Sequence, residues 1–67
     1  MSYVETCKKF VKENGYITHK DILRETGTNC SYTVMQSLKK YFLFEEIQKK
    51  SKNGKPYILY LLRGNVA

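Results

Sequence analysis

Residues 15 to 32 read GYITHKDILRETGTNCSY, and this stretch contains the helix start and end signals on which the predicted fold depends. Thr18 and Asp21 have the spacing of a capping box, in which each side chain satisfies a backbone N–H at a helix start. Gly27 is suited to the left-handed conformation that ends a helix. A new helical start follows at about residues 29 to 31. The stretch therefore predicts two short helices joined by a tight turn.

A supporting helix is predicted before this pair. Ser2 and Glu5 repeat the capping arrangement, and Asn14-Gly15 supplies the end of the helix. Residues 16 and 17 then form a short extended link. The apolar side of this first helix, at a period of 3.6 residues, consists of Tyr3, Cys7, Phe10 and Val11.

The faces of the later helices follow from the same periodicity. Ile22 and Leu23 are the expected buried residues of the second helix. In the third helix, the core side carries Val34, Leu38 and Tyr41, with Met35 and Phe42 as possible additions. The opposite side is polar and consists of Tyr32, Thr33, Gln36, Ser37 and Lys40.

After residue 43 the pattern becomes extended, with strands predicted over residues 44 to 50 and 57 to 62. Asn53-Gly54 between them is a strong hairpin signal. A two-residue turn there would pair Lys52 with Lys55, and a longer loop would shift the register. With the short turn, Ile47 lies opposite Tyr60 on the neighbouring strand. One face of the hairpin then carries Ile47, Ile58, Tyr60 and Leu62. Residues 63 to 67 are expected to be a frayed tail.

Length and composition limit the possibilities further. A chain of 67 residues, 42% of them hydrophobic, is expected to form one domain over residues 1 to 67. It has no apolar run of the roughly 20 residues that a membrane crossing needs, so a cytoplasmic protein is expected. Cys7 and Cys30 are expected to be buried thiols, although an oxidising compartment would permit a disulfide.

The order of the elements predicts an α+β, mainly α, fold: a winged helix-turn-helix of three helices and a C-terminal β-hairpin wing. In such a fold the second helix of the pair enters the major groove of DNA. The formal charge of +6 provides attraction for a polyanion. Double-stranded DNA is therefore the expected partner.

The whole chain resembles the small helix-turn-helix proteins of phages and prophages. The resemblance lies in Gly15-Tyr16-Ile17-Thr18, in the turn from Thr26 to Tyr32, and in Asn53-Gly54-Lys55-Pro56-Tyr57. It implies the fold and DNA binding as a class. The expected function is that of a small transcriptional regulator or an accessory factor of a phage or mobile element. The turn is one or two residues longer than the tightest of its kind, so which of residues 31 to 33 leads into the groove stays open.

The expected nucleic-acid contacts come from the polar side of the third helix and from lysines late in that helix and at the hairpin tip. Gln36 has the donor and acceptor needed for adenine, and the lysines suit phosphates. A solvated hairpin and a packing role for Tyr32 are the alternatives. The expected contacts are Ser31, Tyr32, Thr33, Gln36, Ser37, Lys39, Lys40, Lys49, Lys50, Lys52 and Lys55.

No catalytic or metal-binding pattern accompanies these residues. His19 is the single histidine and is expected to be an exposed residue of a first helical turn. Glu45 and Glu46 are neighbours on a strand, so they point to opposite faces. We therefore expect neither enzyme activity nor a cofactor or metal.

The last strand, residues 57 to 62, is apolar on both faces, although a wing needs only one buried face. Tyr57, Leu59 and Leu61 are therefore the expected interface for a partner. The candidates are a second copy of the chain in a homodimer, another protein, or the first helix folded further over the hairpin. A protein-interaction domain that does not bind DNA is the alternative function.

Overall fold

A computed structural model describes residues 2 to 66, which form a small α+β fold with three helices and a three-stranded antiparallel sheet. Ala67, the end of the expected tail, lies outside the described residues. In chain order the elements are α1 (Tyr3–Asn14), β1 (Tyr16–Thr18), α2 (His19–Thr26), α3 (Ser31–Leu38), β2 (Phe42–Lys50) and β3 (Pro56–Asn65). This arrangement is compatible with the fold class that the sequence predicts.

The predicted helix boundaries at the first two helices are confirmed. The Ser2 hydroxyl accepts from the Glu5 N–H at the start of α1, and Gly15 ends that helix in the left-handed conformation. Thr18 and Asp21 form the capping box of α2. Gly27, with φ of 74°, ends α2, and its N–H donates to the Leu23 carbonyl. Local chemistry therefore determines where these helices begin and end.

The sheet has the order β1-β3-β2, so β3 is the central strand. Ile17 of β1 lies opposite Tyr60, and both side chains are buried on the face that meets the helices. We call this the inner face. The buried apolar core between it and the helices consists of Cys7, Val11, Ile17, Ile22, Val34, Met35, Leu38, Phe42 and Tyr60.

The third helix is shorter than expected. It ends at Leu38, and the next two amides form tighter i to i+3 bonds, from Lys40 to the Ser37 carbonyl and from Tyr41 to the Leu38 carbonyl. Lys39 and Lys40 therefore lie in a turn and not in the helix. Phe42 is buried as the first residue of a strand, which positions its ring 5.8 Å from that of Phe44.

Several residues expected on core faces are exposed. Tyr3, Leu23 and Tyr41 are 51%, 45% and 49% exposed, and Cys30 is exposed beside the start of α3. For Tyr41 the reason is the early helix end, which removes it from the apolar stripe of α3. The expectation of a frayed tail is wrong for residues 63 to 65, because β3 continues to Asn65 opposite Phe42.

The two-residue turn is also wrong, and the longer loop is what forms. The Gly54 N–H donates to the Ser51 carbonyl, and the Ser51 N–H donates to the Lys55 carbonyl, each at 2.9 Å. Gly54 has φ of 79°, as in a three-residue hairpin loop that ends in a bulge. The register consequently places Ile47 opposite Leu59, on the outer face of the sheet, and separates it from Ile58, Tyr60 and Leu62.

None of the helices among residues 2 to 66 combines the length and the apolar character required to cross a membrane.

Candidate nucleic-acid interface

The exposed side of α3 divides into two flanks. Thr33 and Ser37 line a shallow depression together with Ser2, Tyr3 and Val4, so they face the start of α1. Tyr32, which is 70% exposed, lies on the other flank, towards the sheet. Gln36 is exposed between the flanks. Of the polar side predicted for the third helix, Tyr32, Thr33 and Gln36 are therefore exposed. Ser37 is half-buried and Lys40 lies beyond the end of the helix.

His19 fixes the start of α3 against the sheet. Its Nδ1 lies 3.0 Å from the Ser31 hydroxyl, and its Nε2 lies 3.2 Å from the Tyr60 hydroxyl. The His19 and Tyr60 rings also meet edge to face, with centroids 5.5 Å apart. The expectation of an exposed histidine is wrong, because the imidazole is half-buried and joins α2, α3 and β3. The hydroxyl of Ser31, an expected DNA contact, is part of this link.

We call the group of side chains around the buried Tyr60 the helix-hairpin seam; it is made of Tyr32, Lys39, Glu46 and Tyr60. The Lys39 ammonium lies 5.4 Å from the centre of the Tyr60 ring. Glu46 is the cross-strand partner of Tyr60 on the inner face. Burial, followed by the charge of Glu46 and the proximity of Tyr32, raises the pKa of Tyr60. The seam thus brings one residue of α3, one of the turn after it and two of the hairpin together.

The lysines of the hairpin separate by face. Lys49 pairs with Tyr57 on the outer face, whereas Lys50 lies on the inner face opposite Pro56. Lys50, Lys52 and Lys55 line one groove between the hairpin and the start of α2, and Lys20 of α2 joins them there. We call this the hairpin groove. Its volume is about 1180 Å³, and Tyr16 and Tyr57 form part of its wall.

The field in the hairpin groove is positive. Asp21 also lines it, but this carboxylate is 8% exposed and is held by neighbours. It accepts from the Thr18 N–H at 3.0 Å and from the Thr18 hydroxyl at 2.9 Å, while the Arg24 guanidinium donates to its other oxygen at 2.6 Å. The four lysine side chains are exposed. An anion in the groove would therefore meet several exposed ammonium groups.

The outer sheet face carries the expected partner interface. Leu61 lies between Tyr16 of β1 and Glu45 of β2, and Leu59 lies between Thr18 and Ile47. Leu43 continues the face and is 55% exposed. We define the outer sheet face by Tyr16, Leu43, Ile47, Leu59 and Leu61. Tyr57 and Leu59, two of the three expected interface residues, also line the hairpin groove.

Helix α1 does not cover the outer sheet face. Its buried residues, Cys7 and Val11, pack in the core on the inner side. At the margin of the sheet, Phe10 meets the Tyr16 ring edge-on at 6.1 Å. Of the three candidates for covering this face, the first helix is therefore excluded by the fold.

Among the residues that the structure describes, Glu45 and Glu46 do not form an acidic pair. Glu45 lies 3.5 Å from Arg63, whereas Glu46 faces the opposite side beside Tyr60. Among residues 2 to 66, no group of three His, Cys, Asp or Glu side chains is close enough to hold a metal ion.

Three participants in these surfaces were missed by sequence reasoning: His19, Lys20 and Glu46. The partners of His19 are 12 and 41 residues away in the chain, so no local pattern signals them. Lys20 reaches the hairpin lysines because α2 begins where β1 ends. For Glu46 a signal existed, since alternation along the strand assigns it a face once the register is known.

Comparison of the chain with family models, with curated proteins and with solved structures gave no match.

Proposed function

We propose that this protein is a winged helix-turn-helix that binds duplex DNA, with α3 in the major groove and the β2–β3 hairpin as the wing. The observation that carries the proposal is the helix-hairpin seam, in which Tyr32 of α3 and Lys39 of the following turn lie near Tyr60 and Glu46 of the hairpin. The order of the elements, with β1 between α1 and α2, supports the same interpretation. By the resemblance stated above, we extend the proposal to a transcriptional regulator or accessory factor of a phage or mobile element.

Base contacts are assigned to the exposed side of α3. Gln36 offers the paired donor and acceptor that recognise adenine in the major groove. Tyr32 and Thr33 flank it, and each hydroxyl can reach a base or a phosphate. Ser31 acts with His19 to position the start of the helix, because its hydroxyl is already bonded to the imidazole.

Phosphate contacts are assigned to lysines on both sides of the seam. Lys39 and Lys40 follow α3, and Lys50, Lys52 and Lys55 belong to the hairpin. Each neutralised phosphate adds about 0.9 to the slope of log affinity against log salt. Four to six such contacts would therefore give a slope of roughly −4 to −5.

The two adjacent glutamates allow a sharp test, because each Glu→Gln substitution changes the net charge equally. Glu46 lies in the seam, so Glu46→Gln removes repulsion of phosphate and raises affinity for duplex DNA. Glu45 lies on the outer face beside Arg63, so Glu45→Gln leaves that affinity unchanged. Fluorescence anisotropy with a labelled duplex over a series of salt concentrations measures both.

Two double variants, one that reverses charge and one that shortens side chains to alanine, complete the test. The pair Lys50→Glu/Lys52→Glu should reduce duplex affinity and make the salt slope shallower, and Gln36→Ala/Lys40→Ala should weaken binding from the helix side. Absence of duplex binding by the wild type at low salt would refute the proposal. Equal affinities for all these variants would refute the assigned surface.

A second candidate function is association through the outer sheet face, as a homodimer or with another protein. The observation that favours it is that five side chains of the outer sheet face are aromatic or aliphatic; the ion pair of Glu45 and Arg63 lies among them. Light scattering across a concentration series, for the wild type and for Leu61→Lys, tests it. A wild-type mass that rises above the monomer and falls back in the variant supports self-association.

A further inference from the structure

We infer that the hairpin groove is a binding site for an unpaired nucleic-acid strand, such as a single-stranded extension beside a duplex held by α3. The inference rests on the proposed duplex binding and adds a second substrate class to it. Its basis is the meeting of four lysines and two exposed tyrosines in one groove.

The groove exists because the strands have unequal lengths. Strand β1 pairs with residues 59 to 61 of β3 and ends at Thr18, where the chain turns into α2. Strand β3 begins three residues earlier, at Pro56. Residues 56 to 58 consequently have an open side among the described elements, between the hairpin and the first turn of α2. Lys20 enters from that turn, and Lys50, Lys52 and Lys55 enter from the hairpin.

Aromatic rings distinguish this site from a simple patch of phosphate-binding lysines. Tyr57 is 40% exposed and Tyr16 is 37% exposed, and both line the groove with Pro56 and Leu59. Single strands bind where lysines follow the backbone and aromatic side chains stack on bases, at about 1–3 kcal/mol per base. Bases inside a duplex are already stacked on one another, so this chemistry selects unpaired nucleotides.

An acidic peptide that adds a strand to the open side of β3 is the competing occupant. That edge is only three residues long and begins with a proline, which has no N–H to donate. A peptide strand would therefore gain few main-chain hydrogen bonds. An acidic peptide also has no planar bases to stack on Tyr16 and Tyr57. The observations favour a nucleic acid.

The test compares a blunt duplex of about two helical turns with the same duplex carrying a short oligothymidine extension, by fluorescence anisotropy at one fixed salt concentration. Stacking of one base predicts that the extension increases wild-type affinity about fivefold or more. Tyr57→Leu, which keeps an apolar side chain, should lose that gain. Tyr57→Phe should retain it. Both variants should bind the blunt duplex as the wild type does.

A substitution at Lys20 provides an independent test of the single-strand site. Lys20→Glu should weaken binding of the extended duplex more than Lys12→Glu, which makes the same charge change on the exposed side of α1. Equal wild-type affinity for blunt and extended duplexes would overturn this inference and leave the proposed function standing. Failure to bind the blunt duplex would overturn the proposed function. Binding of an oligoglutamate peptide that Tyr57→Leu abolishes would reassign the groove to a protein partner.

Discussion

His19 and Tyr60 are 41 residues apart in the chain, and the imidazole Nε2 lies 3.2 Å from the phenol oxygen. Because the other ring nitrogen lies 3.0 Å from the Ser31 hydroxyl, one side chain connects α2, the start of α3 and the central strand. We therefore expect this link to help hold the start of the proposed recognition helix near the hairpin, together with the core residues of α3. Stability and DNA affinity should both respond to its removal.

Removing only the Tyr60 hydroxyl tests the link without changing the packing of the ring. Tyr60→Phe should lower the free energy of unfolding by about 1 kcal/mol, the usual net contribution of a hydrogen bond within a protein. Urea denaturation followed by circular dichroism measures the change. Tyr57→Phe is the control, since that ring is 40% exposed on the opposite face. Equal losses in the two variants would contradict the role of the link.

The capping box of α2 should contribute a similar amount to the free energy of unfolding. Thr18→Ala removes the acceptor for the Asp21 N–H and a donor to the Asp21 carboxylate. Loss of an N-cap residue costs about 0.5–2 kcal/mol. Thr33→Ala, on the exposed side of α3, should change the unfolding free energy little by comparison. A stability of Thr18→Ala equal to the wild type would show that the cap contributes nothing.

The features that sequence predicts well here are those determined within a few residues. Caps at Ser2, Thr18 and Asp21 and the glycine helix ends at residues 15 and 27 all depend on neighbours in the chain. The end of α3 has no such signal, because residues 39 to 41 include neither glycine nor proline. There the chain enters β2 at Phe42, which is buried and pairs with Asn65 of β3, a residue far away in the sequence.

Strand register and long-range contacts limit how much of the candidate site can be predicted from the sequence. One extra residue in the loop at Gly54 moves Ile47 to the outer face, so the face of every residue in β2 depends on a detail of the turn. The hairpin groove likewise requires Lys20 to lie near lysines that follow it by 30 or more positions in the sequence. No periodicity in the sequence encodes that proximity.

Two glycines provide a comparison of backbone conformation. Gly27 has φ of 74°, whereas Gly64 lies in β3 outside the positive-φ region, and an added methyl group would have open space at either position. Gly27→Ala should therefore destabilise the protein by about 1–2 kcal/mol through backbone strain alone. Gly64→Ala should not destabilise it. Thermal unfolding of both variants measures the difference. If Gly27→Ala is as stable as the wild type, that result argues against a left-handed backbone conformation at residue 27.

The two cysteines should differ sharply in reactivity. Cys7 is fully buried, and this desolvation, followed by the charge of Glu25, raises the pKa of its thiol above the ordinary 9.0. Cys30 is exposed at the turn before α3. An aromatic disulfide reagent should therefore modify Cys30 rapidly in the folded protein and Cys7 only after unfolding. Cys30→Ser should abolish the rapid phase.

The raised pKa of Cys7 also gives stability a defined dependence on pH. The folded state favours the protonated thiol, so this contribution is fully present below pH 9.0 and decreases as the pH rises through the folded-state value. Tyr60, whose pKa burial also raises, adds a second decrease above pH 10.0. Urea midpoints of Cys30→Ser should therefore fall as the solution becomes more alkaline than pH 9.0. A urea midpoint that rises over that pH range would contradict the burial of Cys7. Equal labelling rates for the two thiols in the folded protein would contradict it as well.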